Sequence, residues 1–94
     1  MEISLKEYGS VLGIRDVAKN IRETLEQAIN ASQTVILDFD GVDSVSSSFA
    51  DELVAKAYCS LGLEKVNSFI RLRNANDFVK TIIVSSVHQR LSDK

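Results

Sequence analysis

The stretch VILDFDGVDSVSSSFADEL, residues 35–53, concentrates the chain's reactive side chains and supports two readings. Its first half is an apolar run ending in Asp38-Phe39-Asp40-Gly41, the arrangement by which a phosphoryl-transfer enzyme presents a nucleophilic carboxylate beside Mg²⁺. Its second half sets Ser46, Ser47 and Ser48 ahead of Phe49-Ala50-Asp51-Glu52, a serine-rich helix start suited to a switch or a binding surface. Elsewhere the candidates are few. His88 is the only histidine and Cys59 the only cysteine, which together cannot build a zinc site. Helical phase puts His88 opposite the Phe78/Ile82 stripe and Cys59 away from Phe49 and Leu53, so the one reads as a solvated residue and the other as an inert thiol. No glycine-rich phosphate loop follows an apolar run, and no catalytic residue, metal ligand set or cofactor is expected.

The first half can be weighed against a known site. VILDFDGV resembles the first motif of the haloacid dehalogenase superfamily, in which the first Asp is the nucleophile and the second a general acid/base. Those enzymes carry the motif on their first strand and add a later Ser or Thr, a Lys and a paired acidic motif for the metal. Here a strand and a helix precede it, and after Asp51-Glu52 the only acids are Glu64, Asp77 and Asp93. A Mg²⁺ site resting on two carboxylates without a supporting Lys is incomplete. A phosphatase fragment is therefore the least favoured reading, and the chain is not expected to be an enzyme.

Composition narrows the class. A chain of 94 residues, 45% hydrophobic and 26% charged, suits a single domain; one of that size buries roughly 64% of its unfolded surface. There is no Trp, no Pro, no apolar run of membrane-spanning length and no basic-then-apolar leader, so a cytoplasmic protein without a membrane span is expected. A lone cysteine agrees with a reducing compartment. A formal net charge of −2 argues against a nucleic-acid partner.

The elements that must position these residues follow from periodicity. Glu2–Tyr8 alternates, Thr34–Phe39 is a β-branched run of the kind buried on both faces, and Phe69–Arg73 alternates again; all three are expected strands, with a short extended piece at Asp43–Val45. Gly9 and Gly13 bracket a polar loop. Ile14, Val17, Ala18, Ile21, Leu25, Ala28 and Ile29 form one helical stripe. Phe49, Ala50, Leu53, Val54, Ala57 and Leu61 form a second, stopped by Gly62, and Phe78, Val79, Ile82, Ile83 and Ser86 form a third, with Asn74 as its expected cap. The alternation implies an α/β domain: one small, mostly parallel sheet of about four strands with three helices.

In such sheets the carboxyl ends of strands and the amino ends of helices meet on one edge, where ligands and partners bind. Arg15, Asp38, Asp40, the three serines, Phe49, Asp51, Asn74 and Asn76 gather there. Two features exceed what folding needs. One serine suffices as a cap, and Ser48, three residues before Asp51, fits a reciprocal capping box, which leaves two to spare. Arg15 lies in the first turn of a helix, where the dipole disfavours a cation, so it is expected to answer a carboxylate such as Asp40 or Asp38.

The run VILDFDGVDSVSSSFADELV resembles the central strand-loop-helix of STAS domains, whose prototypes are bacterial anti-sigma-factor antagonists. The chain is still more similar to the STAS-like family of unknown function, including the Gly9–Gly13 loop, Arg15 in LGIRDVA, the SSSFADEL helix start and the IRLRNAN strand end. What the resemblance implies is a regulatory protein-interaction module. In the antagonists, a serine at this helix start is phosphorylated by a partner with a histidine-kinase-like ATPase fold, which breaks the complex. That position falls on Ser47, flanked by Ser46 and Ser48. Ser46 stands where the pattern has Asp, and Phe49 where it has Gly. The expected partner is a protein, such as a histidine-kinase-like ATPase, with a second copy of the chain left open as another. The alternative of a different class is a small-molecule or nucleotide sensor using the same polar edge.

Overall fold

A computed structural model describes residues 1–92 of the chain. Five short strands and four helices alternate along it, the second helix carrying a π-helical segment in its middle. The strands are β1 (Glu2–Ser4), β2 (Val11–Leu12), β3 (Val35–Asp38), β4 (Ser44–Val45) and β5 (Ile70–Arg73). All pairings are parallel, but they make two sheets rather than one: β1-β3-β5 with β3 central, and a separate pair β2-β4.

The central strand alternates buried Val35 and Leu37 with half-buried Ile36 and Asp38. The sheet therefore has one closed face and one partly open face, not the two closed faces expected of its β-branched run. The first expected strand is cut short. It pairs with β3 only as far as Ser4↔Asp38, where β3 itself ends, and from Leu5 the chain has no ladder to join. It turns instead through a 3₁₀ segment, Leu5–Tyr8, which drops Leu5 fully into the core and closes on Gly9 at φ 129°. The loop between Gly9 and Gly13 is not wholly irregular, because Val11 and Leu12 pair with Ser44 and Val45.

Helix α1 spans Arg15–Asn30 and buries Ala18, Ile21, Leu25, Ala28 and Ile29 of its expected stripe, with Val17 partly buried. Ile14, also expected there, precedes the helix in extended backbone and is exposed. The central helix begins as α2 (Ser47–Ala50), widens into a π-helical segment (Asp51–Ala55) and continues as α3 (Lys56–Leu61) to Gly62. A further helix, α4 (Leu63–Phe69), follows at once, where no element was expected. It is held by Val66, which is fully buried, with Phe69 packed partly against the core. Gly62 makes the corner between the two helices at φ 94°. Helix α5 (Asp77–Ser92) buries Val79, Ile83 and Ser86. Phe78, expected on that stripe, is 54% exposed, because the phase set by spacings of four and three residues leaves it to one side.

The core draws on every layer: Leu5, Leu25, Ile29, Leu37, Phe39, Phe49, Leu53, Val66 and Val79 are each under 2% exposed. The central helix packs against α1 and α5, and the sheet lies against α1 and α4. Among the described residues no helix is long and apolar enough to cross a membrane.

Candidate functional site

The helix start is set by Ser46, not by Ser48. Ser46 has extended backbone, and its hydroxyl accepts from the Phe49 N–H at 3.0 Å, while its own N–H donates to the Leu12 carbonyl at 2.8 Å. The second bond ties it to β2, so the first helical residue is Ser47 and the cap falls two residues earlier than a capping box with Asp51 requires. Asp51 does not turn back to the backbone because it is held elsewhere. Ser47 and Ser48 are therefore the spare hydroxyls, and both residues are exposed. Ser46→Ala is expected to lower unfolding free energy by about 0.5–2 kcal/mol and Ser48→Ala by under about 0.5 kcal/mol. Urea melts of the two variants check this, and equal losses would return the cap to Ser48.

Behind the serines runs a chain of ion pairs. Arg15 donates through Nη1 to Asp51 at 3.2 Å and to Glu52 at 3.1 Å. It answers these two acids and not Asp38 or Asp40, since Asp38 is already engaged at the strand end. Arg90 grips Asp51 with a two-pronged contact, Nε and Nη2 each 2.6 Å from a carboxylate oxygen. Arg90 chiefly, and Arg15 with it, hold the Asp51 carboxyl below the usual range against the effect of burial. Glu52 is 3% exposed and gathers three cations: Lys56 at 2.9 Å, Arg22 at 3.0 Å and Arg15. Burial pushes its pKa up, but the bonds from Lys56, Arg15 and Arg22 outweigh it and bring the group down to about 2. Arg22 also meets Glu26 at 3.2 Å.

The carboxylates of the first half stand apart from this network. Asp38 accepts from the Asp40 N–H at 3.0 Å, from Asn74 at 3.1 Å and from Arg73 at 3.4 Å, and Arg73 also pairs with Glu2. These bonds, led by that of the Asp40 amide, hold Asp38 below its ordinary pKa and fasten the ends of β1, β3 and β5 together. Asp40 itself is exposed at the turn into Gly41. Asn74 is not the cap of α5. It sits at φ 60°, a conformation asparagine tolerates, and its amide serves Asp38. The cap is Asn76, whose Oδ1 accepts from the Val79 N–H at 2.8 Å and whose amide donates to the Val42 and Asp43 carbonyls.

The expected site residues thus fall into two groups. Arg15, Ser47, Ser48 and Asp51 line one cleft of about 450 Å³ together with Cys59, Ser86, Gln89 and Arg90. Asp38, Asp40, Asn74 and Asn76 do not line it, and Phe49 is 1% exposed in the core, so that only its N–H serves the helix start. The cleft is walled by the start of α1, the central helix and α5 rather than by strand ends. Sequence reasoning missed Arg90, Gln89 and the Arg22-Glu52-Lys56 hub. One signal for Arg90 was present. It follows Ser86 by four residues and Ile83 by seven, so it continues the buried stripe of α5, where an arginine demands an anion.

With this geometry in place, the comparisons with known proteins are decisive on one point. A family model described as a STAS-like domain of unknown function (DUF4325) matches residues 17–80. The chain belongs to this family. No curated protein and no solved structure matches it. The matched span of the STAS-like domain holds β3, the serine-rich helix start, the π-helical segment and the Glu52 hub. Arg15, Ser86, Gln89 and Arg90 lie outside it, so half of the cleft is built from residues beyond the family match.

Proposed function

We propose that this STAS-like domain is a non-catalytic regulatory module that docks a partner protein on the surface around its serine-rich helix start, with Ser47 as the switch position. One observation carries the reading. Val11 is 69% and Ile14 66% exposed, two large aliphatic side chains on the segment that leads into Arg15 at the start of α1. They lie one and two residues from Leu12, which pairs with Val45 and accepts the Ser46 N–H, so the backbone that carries them is anchored next to the serine-rich helix start. Exposed apolar side chains with a polar surround fit the anatomy of a protein interface. The Ser47 hydroxyl supports the switch because it is exposed and is not needed as a cap. A phosphate there adds about −1.5 to −2 charges next to Asp51, on the face a partner would cover. The partner class that the family resemblance favours is a histidine-kinase-like ATPase. The absence of turnover is part of the proposal: Asp38 is tied to Arg73, Asn74 and the Asp40 amide, a structural use of the carboxylate.

Once affinity capture from the native cell has supplied the partner, three variants test this surface. Ser47→Glu and Ile14→Asp are expected to weaken the complex by about tenfold or more, since each places a charge against a desolvated surface. Ser47→Ala is expected to bind nearly as well as wild type. Calorimetry on variants with unchanged circular dichroism measures this, and equal affinity of Ser47→Glu and wild type would sink the switch.

A further inference from the structure

The cleft beside Ser47 contains more positive charge and more hydrogen-bond donors than its own acceptors consume. Two cations, Arg15 and Arg90, line it against one anion, Asp51. The excess persists one layer deeper: Arg15, Arg22, Lys56 and Arg90 are four cations set against Glu26, Asp51 and Glu52, three anions, a surplus of one. Arg15 uses only Nη1, which leaves its Nε and Nη2 without a partner among the described residues. Arg90 uses Nε and Nη2 and leaves Nη1. The hydroxyls of Ser47 and Ser48 and the carboxamide of Gln89 likewise have no side-chain hydrogen bond among the described residues, although all line the cleft. An acceptor-rich anion satisfies this set better than water, because arginine and hydroxyl donors bind oxyanions through charge-assisted bonds.

Size refines the class. The cleft measures about 450 Å³, within the range of roughly 300–1,000 Å³ typical of small-molecule sites and well beyond what a bare inorganic ion fills. Its lining combines the free donors of Arg15, Ser47 and Ser48 with the less polar thiol of Cys59 and the uncharged carboxamide of Gln89, while Ser86 donates to the Ser47 carbonyl at 3.5 Å. We propose that the cleft between the central helix and α5 binds a small phosphate monoester. Its phosphoryl group is held by Arg15 with the Ser47 and Ser48 hydroxyls, and its organic body lies toward Gln89 and Cys59. Asp51 does not forbid this. Its carboxylate is gripped by Arg90 and touched by Arg15, so it acts as the resident acceptor that keeps both guanidinium groups in place.

The inference does not rest on the partner-binding reading, and the two fail separately: here the readout is the isolated chain with small anions. Backbone amide NMR is recorded while inorganic phosphate, glycerol 3-phosphate or AMP is added to about 10 mM, a range that detects dissociation constants near 1 mM. The expected result is a set of shifts confined to Ser47, Ser48 and the Gln89–Arg90 segment, with at least one ester bound more tightly than inorganic phosphate. Arg15→Gln is expected to weaken that ester about tenfold, while Lys19→Gln, an exposed cation outside the cleft, leaves it unchanged. Three results overturn the proposal. They are no shifts in the wild-type chain with any probe, shifts spread over surface lysines, and inorganic phosphate binding as tightly as both esters. The wild-type titration decides even if Arg15→Gln fails to fold.

Discussion

Glu52→Ala is expected to lower the unfolding free energy by about 3–5 kcal/mol, a large share of the roughly 5–15 kcal/mol available to a domain of this size. The reason is the number of cations that one carboxylate serves. Glu52 is 3% exposed, and its two oxygens accept from Lys56, Arg15 and Arg22. Removing it strands Arg22, whose side chain is only 15% exposed. That guanidinium would keep Glu26, while its Nε already lacks a partner. Its desolvation would go uncompensated, which is why deleting one member of a buried ionic cluster costs more than the cluster contributes as a whole. Glu52→Gln keeps the shape and some acceptor capacity, so it should lose less. Urea denaturation at neutral pH measures both. A Glu52→Ala loss below about 1 kcal/mol would mean that the hub is solvated and carries no structural weight.

The same group sets a pH dependence. Its pKa falls from an ordinary 4.5 to about 2 in the folded protein. A depressed carboxyl stabilises the fold fully above the unfolded value, and that contribution disappears as pH falls through the folded one. Stability should therefore drop as pH is lowered from about 4.5 towards about 2. Asp51, held down mainly by Arg90, adds a loss of the same sign. In Glu52→Gln the acid-side slope should be shallower than in wild type. An unchanged slope would assign the acid sensitivity to other carboxyls.

How much of this was legible in the sequence depends on which interactions fix each element. Helix α1 and strand β3 were readable because their own side chains carry the signal: the Ala18-Ile21-Leu25-Ala28-Ile29 stripe and the β-branched apolar run Val35-Ile36-Leu37 need no partner to be seen, although that only one face of β3 is closed depends on what packs against it. Strand β2 was not, since two residues become a strand only by pairing with β4, more than thirty positions away. Leu5–Tyr8 was misread for the converse reason, an alternating pattern whose partner strand stops at Asp38. The π-helical segment has no sequence signal that separates it from the α-helix on either side. The site divides the same way. Arg15 was recognised as a cation needing an acid, but which acid is decided by how the central helix docks on α1. Glu52, between Asp51 and Leu53, looks like one more solvated charge until Arg22 and Lys56 are seen to converge on it. The two asparagines differ by one helical boundary: α5 starts at Asp77, so Asn76 caps and Asn74 is left to lock Asp38.

Leu37→Ala is expected to cost about 2–5 kcal/mol, which for a domain under 100 residues lowers Tm by about 10–30 °C. Leu37 is fully buried in the central strand, opposite Ile3 on β1 and Leu72 on β5. Truncation there opens a void between the sheet and the helix layer that hydrogen-bonded neighbours on both sides cannot close, so the cavity cost adds to the lost transfer free energy. Leu72 provides the internal comparison. It occupies the paired position on the edge strand but is 39% exposed, so water already reaches it and Leu72→Ala should cost under about 1 kcal/mol. Chemical denaturation of the two variants gives the contrast directly. If Leu37→Ala loses no more than Leu72→Ala, β3 is not the centre of the sheet and the cleft built on the helices above it would have to be rebuilt.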